Sequence, residues 1–153
     1  MRVDFYQLGA APLEQVIATL AEKLLAQGER LLVLADDEPQ LARLDRVLWD
    51  QGATSFLPHA LAGGSQDSSQ PILLSTSPDA PNRARNLLIA DGKWRDSALA
   101  FHRAFYLFDQ DSLEEARAAW RSLASSADVE RHFWAFGEGG GWAERTPQPR
   151  ATA

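Results

Sequence analysis

The 153-residue chain contains no cysteine at all. This absence excludes a disulfide framework, zinc sites built on thiolates and a cysteine nucleophile. A chain without cysteine fits the reducing cytoplasm, and we predict a cytoplasmic location. The sequence begins directly with a strand-like pattern, so we expect no signal peptide.

Long apolar runs and an excess of basic residues are also missing. No apolar run approaches the roughly 20 residues that cross a bilayer, so we expect no membrane segment. The formal net charge is −6 and the pI is about 5.0. Proteins that bind nucleic acid directly usually have a basic face that raises the pI. We therefore expect no strong direct nucleic-acid binding, although the composition leaves room for a local basic patch. An acidic adaptor that works near DNA through other proteins is equally compatible.

The patterns that bind nucleotides or perform catalysis are absent from the sequence. Residues 9–12, after the first predicted strand, do not form a glycine-rich phosphate turn, and no P-loop motif occurs. The glycine-rich run at 137–141 neither follows a buried strand nor opens an apolar helix. No serine lies in a nucleophile elbow. We expect no cofactor and no catalytic activity.

The histidines and the acidic clusters do not form a convincing metal site either. His59, His102 and His132 lack metal-ligand spacing. His59 could act as a base, but a capped or hydrogen-bonded loop histidine is the simpler interpretation. The acidic residues at 36–38 could bind a divalent cation, but the solvated N-terminus of a helix explains them more simply.

The remaining pattern is that of an ordinary globular α/β domain, with 45% hydrophobic and 24% charged residues. Its β-α-β-α-β order implies right-handed crossovers. We predict a single-domain, Rossmann-like three-layer fold with a mainly parallel sheet flanked by helices and no nucleotide site. The predicted strands cover 3–8, 31–35, 71–75, 85–90 and 104–108, with a very short strand around Phe56. The first predicted helix begins at Pro12 and ends at the stop signal Gly28, and the second begins at Asp36 or Asp37. Further helices are predicted over 97–103 and 111–125.

Residues 44–59 combine a helix end, a turn at Gly52 and the very short strand, which Pro58 ends. This arrangement places Trp49 and Phe56 where a helix end meets a sheet edge. Large aromatic side chains usually pack in a core. An edge strand flanked by exposed aromatics, however, also suits a partner's peptide. The pattern leaves both interpretations open.

One face of the helix predicted over 111–125 is most simply core: Leu113, Ala116, Trp120 and Leu123. The same helix carries Arg117 and Arg121 four residues apart, so both project to one side. In the simpler interpretation they complement the helix dipole and pair with neighbouring glutamates. In the functional interpretation the two guanidiniums form an anion clamp that holds carboxylates. Leu107 and Phe108, just before this helix, could then supply an apolar pocket beside the clamp.

In their order and spacing these residues resemble the chi subunit family of bacterial DNA polymerase III. The resemblance covers most of the chain. Its most specific element is L-D-x-x-L-W from residue 44, followed by S-F-x-P-H from residue 55. The other motifs are FYQL at 5–8, RLLV at 30–33, DEPQ at 37–40, an arginine at 43, PILL at 71–74, PN at 81–82, FD at 108–109, AR at 116–117, WR at 120–121 and GW at 141–142.

The resemblance implies a clamp-loader accessory protein with no nucleotide site and no activity of its own. Chi-family proteins bind the acidic C-terminal tail of single-stranded-DNA-binding protein. The family's basic pair for that tail corresponds to Arg117 and Arg121, with an apolar wall from around Leu107 or Phe108. A further basic residue of the family's helix corresponds to Leu113, which makes the site less basic here.

The resemblance also implies a second partner surface. Chi-family proteins bind the small helical psi subunit away from the tail site. The tryptophan and phenylalanine that the family uses there correspond to Trp49 and Phe56. We expect this surface to bind psi or another helical partner, such as a helicase.

We therefore assign residues 1–143 to a chi-like α/β domain and predict that residues 144–153 form a disordered tail. The predicted function is a non-catalytic accessory subunit of the DNA polymerase III holoenzyme. It would link the clamp-loader complex to single-stranded-DNA-binding protein during DNA replication. The alternative from another class is a small Rossmann-like nucleotide-binding enzyme, a hydrolase or a transferase.

Overall fold

A mainly parallel β-sheet forms the centre of the computed structural model, which describes residues 1–50, 58–137, 139 and 141–146. Its strands are β1 (Arg2–Gln7), β2 (Leu31–Leu34), β3 (His59–Leu61), β4 (Ile72–Ser75), β5 (Asn86–Ile89), β6 (Arg103–Phe108), β7 (Glu130–Phe136) and β8 (Trp142–Glu144). The α-helices are α1 (Leu13–Ala26), α2 (Glu38–Asp50) and α3 (Leu113–Leu123), and short 3-10 helices cover Asp67–Ser69, Asp96–Ala100 and Gln110–Ser112.

The described strands lie in the order β3-β4-β2-β5-β6-β1-β7-β8. Every neighbouring pair from β3 to β7 is parallel, and only β7 and β8 are antiparallel. Parallel pairs need crossover connections, and helices supply most of them here. The single-domain α/β fold with a mainly parallel sheet flanked by helices is confirmed.

Helices cover both faces of this sheet because its central strands are apolar on both sides. In β6, for example, Phe105 and Leu107 belong to the core under α1 and α2, whereas Tyr106 and Phe108 belong to the core under α3. The alternation follows from the two-residue repeat of a strand. The result is three layers, with α1 and α2 on one face and α3 on the other.

The first helix ends where the sequence predicts. Gly28 has a φ of +73°, the left-handed conformation that glycine adopts most readily. This turn lets the Gly28 N–H donate to the Leu25 carbonyl and the Glu29 N–H donate to the Leu24 carbonyl, so the last carbonyls of α1 are satisfied. The chain then enters β2 directly.

Residues 130–136 form β7, a strand that the sequence patterns did not predict. The strand has large aromatic side chains on both faces, Phe133 towards α3 and Trp134 towards α1. All but the first of its residues are only partly buried, so the strand lacks the apolar run that marks the central strands. The helix predicted over 97–103 is confirmed in part: a 3-10 helix covers Asp96–Ala100, and β6 begins at Arg103.

Glu144, the first residue of the predicted tail, is the last residue of β8. Glu144 pairs with Trp134 across β7 and β8, and the Arg145 N–H donates to the Phe133 carbonyl at 2.6 Å. Residues 147–153 lie outside the described residues, as does the very short strand predicted around Phe56. None of the helices in the described part of the chain combines the length and apolarity that a membrane crossing requires.

Candidate partner-binding surfaces

The position of α3 is fixed by its first turn and its buried face. Asp109 caps the preceding 3-10 helix: its Oδ1 accepts from the Ser112 N–H at 3.2 Å, and its own N–H donates to Ser112 Oγ at 3.1 Å. Ala116, Ala119 and Leu123 are buried against the sheet. These small and aliphatic residues hold the helix close to β6 and β1, and the positions between them face solvent.

Arg117 and Arg121 both lie on this exposed side of α3. The Arg117 side chain is 57% exposed, and its Nη1 donates to Glu114 Oε1 at 3.0 Å, one turn earlier. Within the described part of the chain Arg121 forms no ion pair. An exposed pair of this spacing stabilises a helix by only about 0.2–0.5 kcal/mol. A ligand carboxylate could therefore displace Glu114 from Arg117 at little cost.

Apolar surface beside Arg117 comes from α3 itself. Leu113 and Trp120 are four residues before and three residues after Arg117, on adjoining turns, and both are only partly buried. The Trp120 ring packs edge-on against Phe5, with centroids 5.1 Å apart. Arg131 of β7 lies over the same ring, its Cζ 4.2 Å from the centroid, and donates to the Trp120 carbonyl. The Trp120 ring is thus held by contacts with Phe5 and Arg131.

Sequence reasoning assigned Trp120 and Leu113 to the core and did not consider Arg131. The spacing from Arg117 could have identified the first two as neighbours of the arginine pair. Arg131 could not be found in this way, because it comes from β7, a strand that the sequence patterns did not reveal.

Leu107 and Phe108 do not form the expected apolar wall. Both side chains are only 1% exposed, so neither offers surface to a ligand. Leu107 also belongs to the core under α1 and α2, on the face of the sheet opposite α3. Burial of both follows from their position in β6, a central strand that is covered on both faces. Leu113 and Trp120 are the apolar residues that adjoin Arg117 instead.

Trp49, in the last turn of α2, is 49% exposed and is one of two large hydrophobic side chains that the described residues expose. The other is Leu61 of β3, at 41%. The Trp49 ring packs on the His59 ring, with centroids 4.4 Å apart. Because α2 packs on the sheet edge that β3 forms, Trp49 and Leu61 mark one apolar surface at that edge. Phe56 lies outside the described residues.

His59, whose ring packs against Trp49, is a buried, hydrogen-bonded histidine. Its Nε2 lies 3.1 Å from the Asp45 carbonyl oxygen and 3.3 Å from Asp45 Oδ1. The simpler interpretation of this residue is confirmed, although His59 lies in β3 rather than in a loop. The contact ties the end of α2 to β3 and so orients Trp49.

The carboxyl ends of the central strands, where open α/β sheets usually bind ligands, are occupied by an ion cluster. Asp36 follows β2 and Asp91 follows β5. Arg95 Nη2 lies 2.6 Å from Asp36 Oδ1 and 2.7 Å from Asp91 Oδ2, and the Asp36 N–H donates to Asp91 at 2.9 Å. Two carboxylates at this position would repel a phosphate, and both already share the one guanidinium.

The pKa values in this cluster favour its charged form. Burial raises the pKa of Asp91, but the hydrogen bond from Arg95 and those from backbone N–H groups outweigh it and lower that pKa below the usual value. The hydrogen bond from Arg95 lowers the pKa of Asp36 as well. Both carboxylates remain ionised near neutral pH. Among the described residues no group of three histidine, aspartate or glutamate side chains is placed to hold a metal ion.

The fold is shared with a protein of distant sequence. The C-terminal domain of the S. cerevisiae DEAD-box protein Dbp5, in a structure with bound Gle1, matches with a TM-score of 0.57 at 11% identity, covering 86% of this chain and 88% of that one. Another structure of the Dbp5 C-terminal domain matches with a TM-score of 0.59, also at 11% identity, covering 86% and 89%. At this identity the likeness shows the fold alone. The chain is thus a Rossmann-like α/β domain whose candidate residues lie on an outer helix and a sheet edge.

Sequence comparison identifies the family. Residues 1–130 match the family model described as DNA polymerase III chi subunit, HolC. The chain is 31% identical over 109 residues to DNA polymerase III subunit chi of Escherichia coli, covering 70% of this chain and 74% of that protein. It is 37% identical over 91 residues to the Pseudomonas aeruginosa subunit, covering 58% and 62%. The chain belongs to the DNA polymerase III chi subunit family, as the motifs predicted.

Proposed function

We propose that this chain is an accessory subunit of DNA polymerase III that links the clamp-loader complex to single-stranded-DNA-binding protein during replication. Family membership supports the first part, a place within the DNA polymerase III complex. The proposal gives the chain no catalytic role and places it in the cytoplasm with the replication machinery. Its contribution is binding: one surface for the tail of single-stranded-DNA-binding protein and another for a helical partner.

The arrangement around Arg117 is the observation that supports tail binding most. An acidic tail that ends in an aromatic residue and a free carboxylate needs cations beside an apolar surface. Arg117 and Arg121 supply exposed guanidiniums on adjacent turns, and Leu113 and Trp120 supply partly exposed apolar surface. Arg131 adds a positive charge over the Trp120 ring. In a chain of net charge −6, such a local group of cations attracts an acidic peptide selectively.

A separate surface at the β3 edge would bind the psi subunit or another helical partner, such as a helicase. Trp49 and Leu61 are the large apolar side chains that the described residues expose, and they lie at the same edge. Helices commonly bind through a few large apolar anchors of this type. Phe56 belongs to this proposal by its match to the family.

Titration of a fluorescein-labelled acidic peptide ending in Ile-Pro-Phe tests the tail site. We expect Arg117→Ala to raise the Kd at least tenfold, which is about 1.4 kcal/mol, because the peptide carboxylate loses a charged hydrogen-bond partner. The Kd of Arg117→Lys should lie between those of wild type and Arg117→Ala, because lysine keeps the positive charge but lacks the planar guanidinium. Binding to wild type should weaken as the salt concentration rises.

Arg43→Ala is the matched control, since Arg43 is an exposed arginine on α2, away from α3. Its affinity for the peptide should equal that of wild type. Equal binding by wild type and Arg117→Ala would remove Arg117 from the site. A parallel loss in Arg43→Ala would show that only the net charge matters.

A further inference from the structure

A groove of about 580 Å³ runs between α1 and the strands β7 and β8, on the face of the sheet opposite α3. One wall is the side of α1 that carries Gln15, Thr19 and Lys23, and the groove extends from Pro12 to Gln27. At 1.5 Å per residue this length is roughly 22 Å. The groove is therefore as long as the helix, and neither the tail site nor the Trp49 surface includes it.

The other wall and the floor of the groove are aromatic. Trp134 and Phe136 of β7 and Trp142 of β8 are only partly buried, and Tyr6 lies beneath them. The Tyr6 ring is stacked with Trp134 at 6.3 Å and meets Trp142 edge-on at 5.0 Å. Burial raises the pKa of the Tyr6 hydroxyl to about 12, so this floor is uncharged near neutral pH. Rings held against each other in this way form a rigid apolar surface.

The charges that line the groove are positive. Lys23 and Arg103 are among the lining residues that the structure describes, and these include no aspartate or glutamate. Within the described part of the chain Lys23 forms no ion pair. In a chain with 21 acidic and 15 basic residues, the charged side chains among the described lining residues of this long groove are thus all cationic.

The charge of Arg103 is only partly compensated. Its Nε donates to Oδ2 of the fully buried Asp4 at 2.8 Å, and its Cζ lies 4.4 Å from the centre of the Phe105 ring. The same carboxylate also accepts from Arg2 and, at 3.0 Å, from Trp134 Nε1. Burial raises the pKa of Asp4, but the hydrogen bonds from Arg2, Trp134 and Arg103 outweigh it and lower that pKa. The single Asp4 carboxylate therefore pairs with the guanidiniums of both Arg2 and Arg103, which leaves a net positive charge at the groove.

We propose that this groove binds an extended acidic peptide segment of a partner protein, with apolar side chains on the aromatic wall and carboxylates at Lys23 and Arg103. A length of roughly 22 Å accommodates six or seven extended residues, far more than a compact small molecule needs. The cationic lining complements an acidic segment and disfavours a basic one. A nucleic-acid strand of this length would bring more phosphates than two cations neutralise, against an overall charge of −6.

Selection from a displayed library of random heptapeptides, with the full-length chain as bait, tests this proposal. The bait carries Arg117→Ala and Arg121→Ala, so that the tail site on α3 cannot dominate the selection. We expect enrichment of peptides that combine aspartate or glutamate with aromatic or aliphatic residues. No enrichment, or enrichment of basic peptides, would overturn the proposal and leave the proposed function untouched.

Fluorescence anisotropy with the enriched peptide then locates the binding site. Lys23→Glu should raise the Kd about tenfold or more, because it reverses a charge at the rim of the groove. Thr19→Trp should also weaken binding, because Thr19 is an exposed position of α1 that lines the groove and the larger side chain fills it. Arg43→Glu makes the same charge change on α2, outside the groove, and should leave the affinity unchanged.

Equal affinities in all of these variants would place the peptide elsewhere and contradict the proposal. Binding of a 12-nucleotide oligo-dT that Lys23→Glu weakens, in the absence of a selected acidic peptide, would also overturn it in favour of nucleic acid. Each variant's thermal unfolding, compared with that of the bait, separates loss of binding from loss of fold.

Discussion

At Gly92 the backbone has a φ of +74°, and the residue packs tightly against the start of α3. A Cβ added there would lie 2.6 Å from Ser112 Oγ and 2.8 Å from Ser112 Cβ. The Gly92 carbonyl also accepts a hydrogen bond from the buried Tyr106 hydroxyl at 2.7 Å. This glycine thus lets the loop after β5 approach Ser112, the residue directly before α3, and so it indirectly positions Arg117.

Gly92→Ala should lower the free energy of unfolding by about 2–4 kcal/mol. About 1–2 kcal/mol comes from the left-handed conformation of a residue with a Cβ, and the rest from the clash with Ser112. Urea denaturation measures the difference. Gly28→Ala is the matched control, because Gly28 has a φ of +73° but nothing within 4 Å of an added Cβ. Equal losses of unfolding free energy in the two variants would show that Ser112 can move away from the added methyl group without cost.

The hairpin of β7 and β8 lies between the proposed tail site on α3 and the proposed groove beside α1, and it contributes residues to both. β7 contributes Arg131 to the α3 side and Trp134 to the groove side. His132 connects its two strands: Nδ1 lies 2.5 Å from Glu144 Oε1 in β8, and Nε2 forms an ion pair with Glu130 of β7, 3.0 Å from Oε2. Two carboxylates thus face one imidazole.

Protonation of His132 should stabilise this hairpin. The hydrogen bond to Glu144 and the contact with Glu130 raise the pKa of His132 above its ordinary value of 6.5, with Asp4 adding to the rise and Arg2 opposing it. Because folding raises this pKa, the stabilisation is fully present below pH 6.5 and is lost as the pH rises through the folded-state value. The difference in melting temperature between wild type and His132→Gln should therefore be larger at pH 6 than at pH 9. A difference that does not change with pH would contradict this assignment.

Across the whole molecule, the two surfaces proposed for tail and helical partner lie far apart. Trp49 is at the β3 edge, on the α2 face, whereas α3 packs on the opposite face over β6 and β1. Five strand spacings of about 4.8 Å separate β3 from β1. A sheet covered by helices on both faces separates the Trp49 surface from the α3 surface. We therefore expect the two surfaces to bind their partners independently.

Pull-down from the native cell extract with Trp49→Ala and Arg117→Ala tests this independence. Trp49→Ala should lose a helical partner and retain single-stranded-DNA-binding protein, because it removes an apolar anchor at one edge only. Arg117→Ala should show the reverse. Loss of both partners in either variant, with unchanged thermal stability, would mean that the surfaces are coupled or are one surface.

The degree to which the sequence predicted the structure differs between its elements. The apolar runs of β2 and β6 and the helix stop at Gly28 predicted the central sheet and α1 well, because buried parallel strands and glycine caps leave strong local patterns. β7 was missed because a half-buried strand near a sheet edge has no such pattern. Leu107 and Phe108 were correctly placed in a strand, but their burial on both faces followed from the strand order, which the local sequence does not contain.

The sequence by itself determined the family, the α/β class and the positions of Arg117 and Arg121 on one side of a helix. Motif order and residue spacing along one element are local properties, and a single chain contains them in full. Only the tertiary structure decided that Trp49 is exposed, that Arg131 lies over Trp120, and that α1 and the last two strands form a groove lined by aromatic and cationic side chains. These features combine residues that are distant in sequence, and packing of the sheet and helices brings them together.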